Sequence, residues 1–141
     1  QEMAQAIYDG SESVEGIVAN MYDLASIEEP NMIRILEESD GFLIGTPTIN
    51  ADAPKPVWDL LSCLMFLDKQ GKCASAFGSY GWSGEAVDHI LARLKSLKLK
   101  VPPLTPLKIK LIPNKDELKL CYDFGVEFAQ IVQGKMVEIS I

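Results

Sequence analysis

One histidine and three cysteines are all that the 141 residues offer in imidazole or thiol ligands. Cys63, Cys73 and Cys121 are an odd number at wide spacings, with no Cys-x-x-Cys, and His89 stands alone. A disulfide framework and a zinc site of the usual kind are therefore excluded, and free thiols fit a reducing, cytoplasmic compartment. Basic charge is short as well: 13 Lys and Arg stand against 20 Asp and Glu, a formal net charge of -7. Such a surface repels nucleic acid and anionic membrane over most of its area, so neither is an expected partner. No apolar run approaches a membrane span; the longest, Leu60 to Leu67, is short and contains Ser62. No signal peptide is read, and the chain opens at Gln1 without an initiator Met, already in helical pattern, so a piece of something longer is expected.

What is present is a globular composition, 48% hydrophobic and 23% charged with a mean hydropathy of +0.09, at the length of one domain. Gln1 to Tyr8 carries Ala4, Met3 and Ile7 at helical spacing, with Gly10 placed as a C-terminal stop. Gly16 to Tyr22 reads as a strand, and a short helix follows over 31–38 behind Pro30. Gly41-Phe42-Leu43-Ile44-Gly45 is a continuous apolar run, the pattern of a central parallel strand, and Thr46 to Pro56 reads as a loop. A helix is predicted over 57–68, a buried strand over Cys73 to Phe77, a glycine-rich loop over Gly78 to Gly84, and a helix over Glu85 to Leu97. Leu107, Ile109 and Leu111 alternate with Lys108 and Lys110 as in an edge strand. Asn114 caps a last helix running to about Gln133. Met136 to Ile141 is a strand-like tail, giving one domain over 1–135 and a tail over 136–141.

Strands alternating with helices make an α/β sandwich with a parallel sheet, whose ligands sit beyond the carboxyl ends of the strands. The loops Thr46 to Pro54 and Gly78 to Gly84 both follow apolar strands and are expected side by side there. Gly78, Gly81 and Gly84 do not make G-x-G-x-x-G, and G-x-x-x-x-G-K-[ST] is absent, which disfavours a dinucleotide site and a P-loop. Ser83 lies in Gly-Trp-Ser-Gly, not in a nucleophile elbow, and His89 falls on the following helix as a surface or half-buried residue. No catalytic or metal-binding residue is assigned. Tyr80 and Trp82, in contrast, stand among glycines where flat amphipathic rings suit stacking on a planar ligand, and Thr46 to Asn50 offers hydroxyls, an amide and backbone N–H groups.

Two strings carry a resemblance. Gly45-Thr46-Pro47-Thr48-Ile49-Asn50 and Ala76-Phe77-Gly78-Ser79-Tyr80-Gly81-Trp82-Ser83-Gly84-Glu85-Ala86-Val87 resemble the flavodoxin-like domain of flavodiiron proteins, or A-type flavoproteins. The likeness runs from Glu2-Met3-Ala4 to Leu120-Cys121-Tyr122-Asp123-Phe124-Gly125. It implies a three-layer flavodoxin-like sandwich with a five-stranded parallel sheet in the order 2-1-3-4-5 and one non-covalent FMN. It further implies electron transfer to a diiron centre in a separate metallo-β-lactamase-like domain, as part of an oxygen or nitric oxide reductase. The cofactor positions it carries over are Thr46, Pro47, Thr48, Ile49 and Asn50 in one loop and Ser79, Tyr80, Gly81 and Trp82 in the other. The family's first strand and phosphate loop lie just ahead of the helix matched by Glu2; without that strand two ladders would stay unpaired and an apolar slot open, so the polypeptide is expected to continue upstream or to receive the strand in some other way. The implied partners are a donor such as rubredoxin or a flavin reductase, the diiron domain, and further copies in a homo-oligomer. A free-standing flavodoxin carrier and a non-flavin interaction module are the competing readings.

Overall fold

The computed structural model describes residues 2–47, 52–66, 72–81, 84–105 and 107–133. Its elements are α1 (Glu2–Glu12), α2 (Glu29–Glu38), β1 (Gly41–Pro47), α3 (Lys55–Cys63), β2 (Cys73–Tyr80), α4 (Glu85–Ser96), β3 (Leu107–Lys110) and α5 (Lys115–Val132), with single 3-10 turns at Leu24–Ser26 and Leu64–Phe66. The strands form a parallel sheet in the order β1-β2-β3. Helices α3 and α4 are the crossovers between successive strands, and a common handedness places both on one face.

Alternation along the strands sorts the core into two layers. Ile44, Ala74 and Ala76 point to the face covered by α2, α3 and α4, where Leu36, Leu61, Ile90 and Leu94 are buried. Phe77, Leu107 and Ile109 point to the face covered by α1 and α5, against Ile7, Cys121 and Phe124. Helices on both faces of a parallel sheet are what apolar runs such as Gly41 to Gly45 and Cys73 to Phe77 require. The last helix starts on a full capping box: the Asn114 side chain accepts from the Glu117 N–H while the Glu117 carboxylate accepts from the Asn114 N–H.

Several boundaries differ from the sequence reading. Gly10 does not end α1, which continues to Glu12; a Cβ there would collide with the Tyr122 carbonyl, so the glycine serves the close approach of α1 and α5. The left-handed turn falls instead at Gly16, with φ +86°. The helix expected over 57–68 begins earlier, at Lys55, with Pro56 in its first turn, and gives way to the 3-10 turn after Cys63. Strand β2 runs on through Gly78 and Ser79 to Tyr80, because both sides of it find pairing partners in β1 and β3. β3 pairs with β2 alone among the described residues, the edge position its alternation predicts.

The largest correction concerns Gly16 to Tyr22, which forms no strand. A strand exists only with a neighbour to bond, and among the described residues none lies beside it; Val18 is 86% exposed. For the same reason β1, apolar enough for the middle of a sheet, pairs only with β2 and is an edge strand among the described residues. The predicted tail, 136–141, lies outside the described residues.

Candidate functional site

The register of β1 on β2 sets Thr46 opposite Gly78 and Pro47 opposite Ser79. The two polar loops singled out in the sequence therefore leave the sheet side by side at its carboxyl end. The backbones approach so closely there that a Cβ at Gly78 would meet the Thr46 carbonyl oxygen. Thr46 is buried, one of two buried polar residues among those described, and its hydroxyl donates to the Pro47 carbonyl at 2.8 Å. That bond shapes the exit of the chain from β1 and leaves the hydroxyl oxygen able to accept.

On the other side, Ser79 and Tyr80 are the half-buried last residues of β2, and Gly81 is exposed immediately beyond them. The Tyr80 carbonyl accepts from the Leu111 N–H at 2.7 Å, tying the end of β2 to the loop after β3. Leu111 makes this bond from a left-handed backbone, φ 60°, and its side chain is the nearest neighbour of the Gly81 Cβ position. A Cβ on Gly84 would lie 3.3 Å from the Tyr80 ring and 3.2 Å from the Lys108 side chain, so the ring and the lysine stem both bear on the start of α4. Lys108 in turn pairs with Asp88 at 2.7 Å. The remaining predicted positions, Thr48, Ile49, Asn50 and Trp82, lie outside the described residues, as does Ser83.

Beyond the first loop, Asp52 is a small hub that the sequence did not reveal. Its carboxylate accepts from the Ala53 N–H at 2.8 Å and meets His89 Nδ1 at 2.9 Å. Hydrogen bonding from His89, then from the Ala53 backbone, holds the Asp52 carboxyl below the usual aspartate value. His89 is thus a partly exposed link between α4 and the loop leaving β1, not an isolated surface residue. Thirty-seven positions separate the two, and only the β1-α3-β2-α4 path brings them together. The cysteines take no part: all three are buried, and burial pushes their thiols up. No group of three or more His, Cys, Asp or Glu among the described residues is placed to hold a metal ion. Nor is any helix among them long and apolar enough to cross a membrane.

A family model described as flavodoxin matches residues 1–125. The chain belongs to the flavodoxin family. Flavodoxin domains are FMN-binding electron-transfer domains, and FMN is the cofactor of this fold. The chain is 40% identical over 134 residues to the type A flavoprotein fprA of Rhodobacter capsulatus, a match covering 95% of this chain and 31% of that protein. The flavodiiron protein of Giardia intestinalis superposes with a TM-score of 0.88 at 26% identity, over 97% of this chain and 34% of that one. A flavodoxin from the domain Archaea superposes with a TM-score of 0.83 at 28% identity, over 94% and 89%. The flavodoxin domain thus spans about a third of the length of the curated type A flavoproteins it matches.

Proposed function

We propose that FMN is held at the carboxyl end of β1 and β2, by Thr46, Pro47, Thr48, Ile49 and Asn50 from one loop and Ser79, Tyr80, Gly81 and Trp82 from the other. The observation that carries this reading is the register that sets Thr46-Pro47 beside Gly78-Ser79, with the half-buried Tyr80 ring next to them. The described residues suit the group. A flat aromatic ring beside an open glycine can lie along an isoalloxazine, and backbone groups and hydroxyls at the strand ends can bond its polar edge and ribityl oxygens. The close packing at Gly78 leaves no side chain between the loops. FMN supplies reversible electron transfer, and the protein supplies orientation and electrostatics. The acidic surface, net -7, disfavours a further negative charge on the bound group and draws a donor with a basic patch.

In this reading the domain works within a flavodiiron oxygen or nitric oxide reductase. It accepts electrons from a donor such as rubredoxin or a flavin reductase and passes them to a diiron centre in a separate domain. The type A flavoproteins, with about three times the matched length, support it. A free-standing carrier is the second reading, supported by the near-complete match to a single-domain archaeal flavodoxin. Titration with FMN and with riboflavin, followed by flavin fluorescence, tests the site. Quenching by both flavins at one per chain is expected, and quenching by neither refutes it. The gene product's full sequence separates the two readings: a segment rich in His, Asp and Glu in metal-ligand pattern belongs to the first alone.

A further inference from the structure

The outer faces of α3 and α4 meet in a shallow groove of about 510 Å³, within the size range of small-ligand sites. None of its lining residues belongs to the two loops assigned to flavin. Side-chain size makes the groove. On α4, His89, Ala92 and Arg93 share one face at helical spacing, and on α3, Trp58, Leu61 and Ser62 do the same. The small side chains of Ala92 and Ser62 leave space that the large ones, Trp58, His89 and Arg93, bound, and the buried Leu61 forms the floor.

Charge and ring placement define what fits. Two lining side chains can carry charge, Arg93 and His89, and both charges are positive. In a chain of net charge -7 that is a local reversal of sign. Asp59, beside Trp58 in α3, is paired with Lys55 at 2.9 Å, and Asp52 meets His89 Nδ1 at 2.9 Å. Arg93, in contrast, enters no ion pair among the described residues. Its exposed guanidinium offers a planar fork that can grip a carboxylate or phosphate at two points. Asp52 steadies the two rings as well. Its carboxylate takes hydrogen bonding from His89, then from the Ala53 backbone, and last from the Trp58 indole. The His89 ring is thus anchored by Nδ1, with Nε2 on its opposite edge. Two flat rings held from one point beside an unpaired guanidinium suit a planar aromatic ligand with an anionic group.

We propose that the groove between α3 and α4 is a second binding site, for a small planar aromatic anion whose ring lies against Trp58 and His89 and whose carboxylate or phosphate ester sits on Arg93. The proposal does not depend on the flavin reading, and binding is measured on the protein both free of FMN and mixed with an excess of it. The probes are naphthalene-1-carboxylate, 1-naphthyl phosphate, the uncharged 1-naphthalenemethanol and the non-planar cyclohexanecarboxylate. Occupancy is read by NMR from the His89 ring protons and the Trp58 indole N–H, assigned with His89→Gln and Trp58→Phe. At least one naphthyl anion is expected to shift both signals saturably, at one per chain and with FMN present or absent, and the tighter of the two names the head group. Loss of the charge, in the alcohol or in Arg93→Gln, is expected to weaken binding about tenfold or more, the worth of a charge-assisted contact. Arg93→Lys, which keeps the charge and loses the fork, should fall between Arg93→Gln and the native protein, and cyclohexanecarboxylate should bind more weakly than the naphthoate. Because Arg93 is exposed, Arg93→Gln should keep the native circular dichroism and Tm. Shifts absent with both naphthyl anions, binding as tight with the alcohol, with cyclohexanecarboxylate or in Arg93→Gln, or displacement of the probe by FMN overturns the proposal.

Discussion

Gly10 and Gly125 stand where α1 and α5 touch backbone to backbone: a methyl at either would press on a carbonyl of the opposite helix, Tyr122 or Ile7. Neither atom is the free end of a side chain, so the helices must separate to relieve the contact. Gly10→Ala is expected to destabilise the fold by about 1–3 kcal/mol, the usual range for overpacking, despite alanine's better helix propensity. A urea denaturation midpoint that falls at unchanged slope checks it. Asp52 gives a different kind of prediction. Its carboxyl titrates lower in the folded chain than in the unfolded one, so its contribution is complete above the ordinary aspartate value of about 4 and is lost as pH falls through the lower, folded value. The stability gap between the native chain and Asp52→Asn should therefore close on acidification below about 4. Denaturation midpoints measured across that range decide it.

Helix α5 shows how much of an element is decided by a few local residues. Asn114→Ala removes the side-chain half of the capping box and should lower stability by about 0.5–2 kcal/mol, read as a drop in Tm, while Asn114→Asp should be nearly neutral. This helix was legible in the sequence because cap, apolar stripe and end are all local. The same holds for β3, whose alternating Lys108 and Lys110 marked an edge, and for α4. Elements that depend on distant chain were less legible. Gly16 to Tyr22 has strand chemistry but no neighbour among the described residues, and the sequence pattern ends β2 at Phe77 because Gly78 looks like a turn until Thr46 is seen against it. Of the candidate site, the two loops and their adjacency were readable from apolar runs broken by polar and glycine-rich stretches. The His89 to Asp52 link and the left-handed Leu111 were not, since each arises from a contact between separate elements.

The molecule is an α/β/α sandwich with the proposed flavin site at the carboxyl end of its sheet and, among the described residues, β1 paired on one side alone. Helices α3, α4 and α5 all start at the carboxyl end of the sheet, where the strands stop at Pro47, Tyr80 and Lys110. Placing the polar loops there lets them vary in chemistry without disturbing the two cores. The most direct test of the account is a flavin fluorescence titration of the protein purified with its native N-terminus, comparing it with Tyr80→Ala. The native protein is predicted to quench FMN at one per chain. Tyr80→Ala, with its circular dichroism unchanged, is predicted to bind about three- to tenfold more weakly, in line with the worth of one aromatic contact. Absence of quenching in the native protein, or affinity indifferent to Tyr80, would contradict it.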